Sequence, residues 1–237
     1  VPQPGEVSLA HHGVLFLDEF PEFARATLEM IRQPLEDGCV TIPRVHSTLK
    51  FPAKIMLVAA MNPCPCVYFT DPKRKCSCSP TQVERYLSRV SGPLIDRIDI
   101  HIEVPPVPWK QLRSSDDGTS SADIRQKVVA ARQVQRQRFG GGLFAAGADG
   151  GASGGNGNGA TTTNATMSSR QVRQHCKLDA AGETILKQAM TELGLSARAH
   201  DKVLRIARTI ADLEGSDHIA SQHLAEAVQY RRLDRKL

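Results

Sequence analysis

The chain has 237 residues, 41% of them hydrophobic and 23% charged, enough apolar material for one large domain or two small ones. No apolar run is long enough to span a bilayer and no charged-then-apolar leader is visible, so a cytoplasmic protein without a membrane partner is expected. A formal net charge of +5 permits a polyanionic partner such as nucleic acid without requiring one.

The first residues, VPQPGEVSLA, lack Met and read as the interior of a longer protein. VLFL (Val14–Leu17) is continuous and apolar, as expected of a strand covered on both faces. It ends in the acid pair Asp18-Glu19. PEFARATLEMIRQPLEDG then sets Phe23, Thr27, Met30, Ile31 and Leu35 at helical spacing, with Pro34 and Gly38 expected to end the helix. Residues 40–51 predict a β-hairpin with a polar tip. KIMLVAAMN (Lys54–Asn62) predicts a second apolar strand closing on Asn62. IDIHIEV alternates, with Ile98, Ile100, Ile102 and Val104 on one face, which predicts a half-exposed edge strand.

A basic helix is expected over Asp123–Phe139. Residues 140–166 are dominated by Gly, Ala, Ser, Asn and Thr, which cannot bury enough apolar area to order themselves, so a flexible linker or inserted loop is expected there. Beyond it, apolar stripes predict helices at about 180–193, 196–213 and 220–232, with Ser196 and Ser221 as N-caps of the second and third. The outcome is an α/β part followed by a small all-α part.

Asp18 and Glu19 stand where open α/β sheets place ligands, at the carboxyl end of a strand. A carboxylate there suits Mg²⁺, a hard cation that keeps several waters, and a second can orient or deprotonate water attacking a phosphate. An ordinary solvated strand end is the plain alternative. Asn62, were the two strands neighbours, would lie level with Asp18 and could hold that water or a phosphate oxygen. An Asn-Pro turn is its plain alternative.

Four of the six cysteines lie in CPC (Cys64, Cys66) and CSC (Cys76, Cys78). A reducing compartment disfavours disulfides, and a Cys₄ zinc site is the reading favoured over unliganded thiols, although Cys-x-Cys is tighter than common zinc spacings. Basic groups that could follow a DNA backbone are Arg44, His46 and Lys50 of the hairpin and the DPKRK loop. His11-His12 has no partner at ligand spacing and receives no role.

GEVSLAHHGVLFLDEFPEF, RQPLEDGCVTI, FPAKIMLVAAMNPCPC, SGPLIDRIDIHIEV and SARAHDKVLRIARTIADL follow one another as in AAA+ ATPases of the magnesium-chelatase-like group, with the nearest resemblance to the YifB/ComM branch. The resemblance covers nearly all of the chain outside the Gly-rich stretch. It implies a partial AAA+ core over 1–139, a parallel sheet with flanking helices and an inserted hairpin, then the linker, then a helical lid over 167–237. It implies ATP and Mg²⁺ as cofactors, LFLDE as a Walker B strand with Asp18 supporting Mg²⁺ and Glu19 catalytic, and Asn62 as sensor 1. Arg97 matches the arginine finger, its plain alternative being a surface pair with Asp96 or Asp99. Arg89 is a second subunit-interface candidate, and Arg198 resembles sensor 2.

No GxxxxGK[ST] occurs in the chain; the resemblance places that phosphate loop upstream of Val1. The expectation is therefore a fragment of a hexameric, DNA-acting ATPase of branch-migration or transformation type, monomeric and inactive by itself. A chelatase-type motor that inserts metal into a tetrapyrrole, and a non-catalytic zinc-containing DNA-binding module, are the alternatives.

Overall fold

The computed structural model describes residues 3–44, 48–69, 71, 73–105, 107, 109, 113, 118–140 and 163–231. They divide into two compact units meeting in sequence at Ile98 and Asp99.

In the first unit a short helix α1 (Glu6–Leu9) precedes strand β1 (Val14–Leu17). A 3₁₀ turn over Phe20–Glu22 leads to helices α2 (Arg25–Met30) and α3 (Arg32–Asp37). Pro34 does not end the expected helix. It lies in the first turn of α3, where its missing N–H has no helical carbonyl to seek, so the helix breaks at Ile31 instead. Gly38 does end it, at φ 63°, a left-handed conformation that glycine adopts without a Cβ penalty.

β2 (Cys39–Pro43) and β3 (Thr48–Pro52) form the antiparallel hairpin, with Thr41 opposite Lys50. β4 (Met56–Ala59) then returns beside β1 in parallel, with Val14 opposite Met56 and Leu17 opposite Ala59. Helices α4 (Pro80–Leu87) and α5 (Gly92–Ile95) close the unit. Phe20, Leu28, Ile31, Val90, Leu94 and Ile95 are its core, and Leu17, Leu57 and Ala59 pack against it. Among the described residues only one face of the strand pair is covered. Val14, Phe16, Met56 and Val58 share the other face and are exposed, so VLFL is not the doubly covered strand its composition suggests.

The expected edge strand at 98–104 does not form: none of these residues is in a strand, and Ile100, Ile102 and Val104 are exposed. Alternation supplies a face, but a strand also needs a neighbouring ladder, and among the described residues no strand pairs with these. His101 instead donates its N–H to the Tyr230 carbonyl at 2.8 Å.

The second unit is helical: α6 (Ser121–Arg138), a 3₁₀ turn at Asn164–Thr166, α7 (Ser169–His175), α8 (Ala180–Leu193), α9 (Ala197–Leu213) and α10 (Ser221–Gln229). Its core includes Met167, Val172, Leu186, Val203, Ala207 and Leu224. The basic helix α6 packs in this unit: Arg138 reaches Asp212 of α9 at 2.5 Å and Asn164 at 2.8 Å. Asn164, expected in the linker, is buried and donates to Asp212 at 2.7 Å, so the chain is already packed by that point. Ser196 caps α9, its Oγ accepting from Ala199 N–H at 3.1 Å. Ser221 is not a cap. Ala220 holds that position and its N–H donates to the ring of His223 at 3.0 Å. Among the described residues no helix is long and apolar enough to cross a membrane.

Candidate functional site

The parallel pairing of β1 with β4 brings the two polar strand ends together. Past the last register pair, Ala60 N–H donates to the Leu17 carbonyl at 2.9 Å and Phe20 N–H donates to the Ala60 carbonyl at 2.9 Å. Ala60 is therefore alongside Asp18 and Glu19, and Asn62 stands two residues farther on rather than level with Asp18. Asp18 and Glu19 are both exposed and Asn62 is half-buried.

Asp18 Oδ1 accepts the Glu19 N–H at 2.9 Å, a local bond that turns the chain sharply. Glu19 adopts φ 51°, ψ 44°, and a non-glycine residue in this left-handed region carries strain that functional sites often store. Glu22 N–H then returns to the Glu19 carbonyl at 2.7 Å, closing the 3₁₀ turn.

Sequence reasoning missed Tyr86. It is buried on α4, and burial together with the charge of Glu22 pushes its phenol up, with Glu19 adding to the effect and the Asn62 backbone and Arg89 opposing it. Tyr86 thus lies among the acid turn, the second strand end and a cation. The signal that could have placed it is SPTQ at 79–82: Ser79 caps α4 and accepts from Gln82 N–H at 3.3 Å, while the Gln82 side chain accepts from Ser79 N–H at 2.8 Å. That reciprocal pair is a helix-start signature.

The two arginines expected at a subunit interface, Arg89 and Arg97, are engaged within their own unit. Arg89 donates to Glu22 at 2.8 Å and to the Pro21 carbonyl at 3.2 Å. Arg97 pairs with Glu36, not with Asp96 or Asp99, and donates to the Pro93 carbonyl at 2.6 Å. Its side chain is 12% exposed. Arg198 is exposed in the first turn of α9. Of the hairpin residues, Arg44 and Lys50 are exposed; His46 lies outside the described residues. His11 accepts the Lys54 backbone N–H at its Nδ1, at 3.0 Å, a structural use.

The four clustered cysteines converge. Cys64 and Cys66 Sγ are 3.3 Å apart, Cys66 and Cys76 3.4 Å, Cys64 and Cys76 3.8 Å, and with Cys78 all four sulfurs lie within 4.8 Å of one another. None is in a disulfide. Backbone hydrogen bonding at Tyr68 and then at Ser77 brings the Cys66 thiol down to about 5. Cys76 is pushed up to about 12: the Cys78 backbone favours its thiolate, but burial and the sulfurs of Cys66 and Cys64 outweigh it. Such a set holds several thiolates together only around a cation. Between the two cysteine pairs, Asp71 accepts from the Lys73 and Arg74 N–H groups at 2.7 and 3.1 Å, and Arg74 donates to the Tyr68 hydroxyl at 2.7 Å.

This architecture, an acid pair and an Asn at the carboxyl ends of parallel strands with a helical unit following, is consistent with a partial AAA+ core and lid. The sequence pattern of the family described as magnesium chelatase, subunit ChlI, matches residues 1–112, and that described as magnesium chelatase, subunit ChlI C-terminal, matches 118–231. The chain belongs to the magnesium-chelatase-like family. Its similarity to two of the proteins it matches is consistent with the YifB/ComM branch. It is 42% identical, over its whole length, both to the competence protein ComM of Haemophilus influenzae and to the uncharacterized protein YifB of Escherichia coli. Over 97% of its length it is 36% identical to the uncharacterized protein Rv2897c of Mycobacterium tuberculosis. The chain spans 42% of the length of each of these relatives.

Proposed function

We propose that this chain is part of an ATP-hydrolysing motor that works on DNA as a hexameric ring. The observation that carries the reading is the parallel β1–β4 pair, which lays Asp18-Glu19 beside the strand end that leads to Asn62. Family membership supports nucleotide and Mg²⁺ use. In this reading Asp18, an exposed carboxylate with hard oxygen donors, holds Mg²⁺. Glu19 orients and deprotonates the attacking water, and Asn62 holds that water or a phosphate oxygen by hydrogen bonds. Arg198 approaches phosphate from the positive end of α9. Arg97 acts as the finger toward a neighbouring subunit, which requires it to exchange Glu36 for phosphate, and Arg89, which holds the acid turn through Glu22 and Pro21, is the second candidate for that interface.

The exposed Arg44 and Lys50, together with Lys73, Arg74 and Lys75, supply cations for a phosphate backbone. The Haemophilus relative is named a competence protein, and the reading takes this up as work on DNA, in the form of branch migration or translocation. The cysteine cluster is read as a Zn²⁺ site separate from the nucleotide's Mg²⁺. The open apolar face of Val14, Phe16, Met56 and Val58 is the kind of surface that parallel sheets cover with further helices, which favours a larger assembled domain.

A chelatase-type motor is the second reading, favoured by the description of both matched family patterns. ATP turnover by the full-length protein, with and without branched DNA, separates the readings. The expected result is DNA-stimulated turnover that Glu19→Gln abolishes while nucleotide binding persists. Turnover indifferent to DNA favours the chelatase, and DNA binding with no turnover at all leaves a non-catalytic module.

A further inference from the structure

The cysteine cluster joins two segments that both lead to the acid turn. Cys64 is two residues past Asn62, and Cys78 directly precedes Ser79, the N-cap of α4. Following the chain back from Cys64 reaches Asn62 and β4; following it forward from Cys78 reaches Tyr86 and then Arg89, which binds Glu22 and Pro21. Among the described residues between 63 and 79, Cys64 alone is buried. Val67, a β-branched residue, is held at φ 73°, and Val67 N–H donates to the Cys64 carbonyl at 3.1 Å. A loop with one buried side chain and a residue in a disfavoured conformation is not held by apolar packing.

Sulfur geometry supplies the missing constraint. A tetrahedral ion with Zn–S distances near 2.3 Å sets its sulfurs about 3.8 Å apart. The Sγ separations of 3.3, 3.4 and 3.8 Å bracket that edge from below, and the 4.8 Å limit on all four leaves room for one ion at the centre. An iron–sulfur cluster would spread the thiolates over several irons, which this tight set does not suit.

We propose that Cys64, Cys66, Cys76 and Cys78 bind one Zn²⁺ as a closed tetrathiolate and that this metal is the joint fixing the Asn62 strand end against helix α4 and its Tyr86. All four positions of the ion are taken by protein, so it has no open site for chemistry; its effect is positional. The significance for phosphate chemistry rests on the function proposed above, whereas the joint itself does not.

The test uses the chain isolated without chelators. Metal analysis is expected to give one zinc per chain, and Co²⁺ exchanged into the site is expected to give the thiolate charge-transfer and tetrahedral bands. Hydrogen exchange is then compared before zinc removal, after it, and after zinc is returned. Exchange is expected to accelerate reversibly over 59–63 and 80–90 as well as within the loop, with α9 unchanged as an internal control. Cys76→Ser combined with Cys78→Ser is expected to reproduce the metal-free pattern. Iron in place of zinc, or no metal, overturns the site. Acceleration confined to 64–78, or loss of protection throughout including α9, overturns the joint. None of these readouts depends on ATP turnover, so failure of the ATPase reading leaves them interpretable.

Discussion

Ala60 donates its N–H to the Leu17 carbonyl at 2.9 Å, one rung beyond the last register pair of the parallel strands. Its own carbonyl accepts from Phe20, on the far side of the acid pair. The chain from Leu17 to Phe20 is thus pinned at both ends to Ala60, the residue just past β4, and Asp18 and Glu19 bulge between the two pins. This explains why Glu19 takes a left-handed conformation: the two bonds fix the ends, and the Asp18 carboxylate, accepting from Glu19 N–H, fixes the turn inside.

The strain at Glu19 is measurable. At φ 51° a side chain costs on the order of 1 kcal/mol relative to glycine. Glu19→Gly is therefore expected to be more stable than Glu19→Ala by about 1 kcal/mol, read from urea midpoints at constant slope. Equal midpoints would mean that the turn relaxes out of the left-handed region in solution. Neither variant is expected to retain turnover in the full-length protein, so stability and activity separate at this residue.

Arg97 offers a second test, because its engagement with Glu36 competes with any role toward a neighbour. The Glu36 side chain is 44% exposed, so solvent screening limits the pair to about 0.2–1 kcal/mol of coupling in a double-mutant cycle. Arg97→Ala in the full-length protein is expected to lower ATP turnover by roughly a thousandfold or more with nucleotide affinity kept. Arg97→Lys should not restore it, since a point charge lacks the planar fork. If Arg97→Ala and Glu36→Ala instead produce the same mild loss of stability and no change in turnover, Arg97 is an internal brace.

The parts of this fold that were legible in sequence are those whose pattern is local. Val14–Leu17 and Met56–Ala59 announced themselves by apolar runs, α8 and α9 by their stripes, and the hairpin by its polar tip. What sequence misjudged depends on neighbours. Ile98–Val104 alternates as a strand would, yet no described strand pairs with it. Val14 and Phe16 read as core, yet their face of the sheet is open. Pro34 reads as a stop, yet its position in a first turn makes it harmless. The acid pair, Asn62 and the four cysteines could be chosen from residue type and spacing, but the convergence of the sulfurs and the intrachain partners of Arg89 and Arg97 are long-range facts. Tyr86 was hidden behind a capping box that the eye passes over beside the cysteines.

The helical unit has its own polar centre, and it yields a third prediction. Asp212, with a fully buried side chain, is paired with Arg138 at 2.5 Å and Arg208 at 3.0 Å and accepts from Asn164. Removing the shared anion leaves two guanidinium groups uncompensated beside the core. Asp212→Ala is expected to cost about 3–5 kcal/mol, measured by thermal or urea unfolding of the chain. Arg138→Ala should cost less, because Arg208, which also donates to the Asp217 carbonyl at 2.8 Å, remains to neutralise Asp212. Equal costs for the two substitutions would show that the network is not centred on Asp212.

The same unit predicts acid destabilisation in two separate windows. Burial first, and then the charges of Arg138 and Arg208, hold the His175 imidazole below its ordinary value of 6.5, so the fold favours the neutral ring. As pH falls through 6.5 the unfolded chain takes up a proton that the folded chain refuses, and stability declines from there until the folded ring itself titrates. Asp212 behaves differently. Burial alone would raise its carboxyl, but hydrogen bonds from Arg138 and Asn164 and the nearby guanidinium charges hold it below its ordinary value of 3.8. Its contribution is complete above that value and is lost only as pH falls through the depressed one. The midpoint of the helical unit is therefore expected to be flat from 6.5 up to 9.0, above which the buried Cys176 thiol, pushed up to about 11, resists the ionisation that the unfolded chain undergoes, to fall in a first step below 6.5, and to fall again below about 3.8. His175→Gln, which keeps a polar group of similar reach but does not titrate, should remove the first step and leave the second. Retention of the first step in that variant would move its origin to another histidine of the unit, and a single smooth decline would mean that His175 reaches water in the folded state.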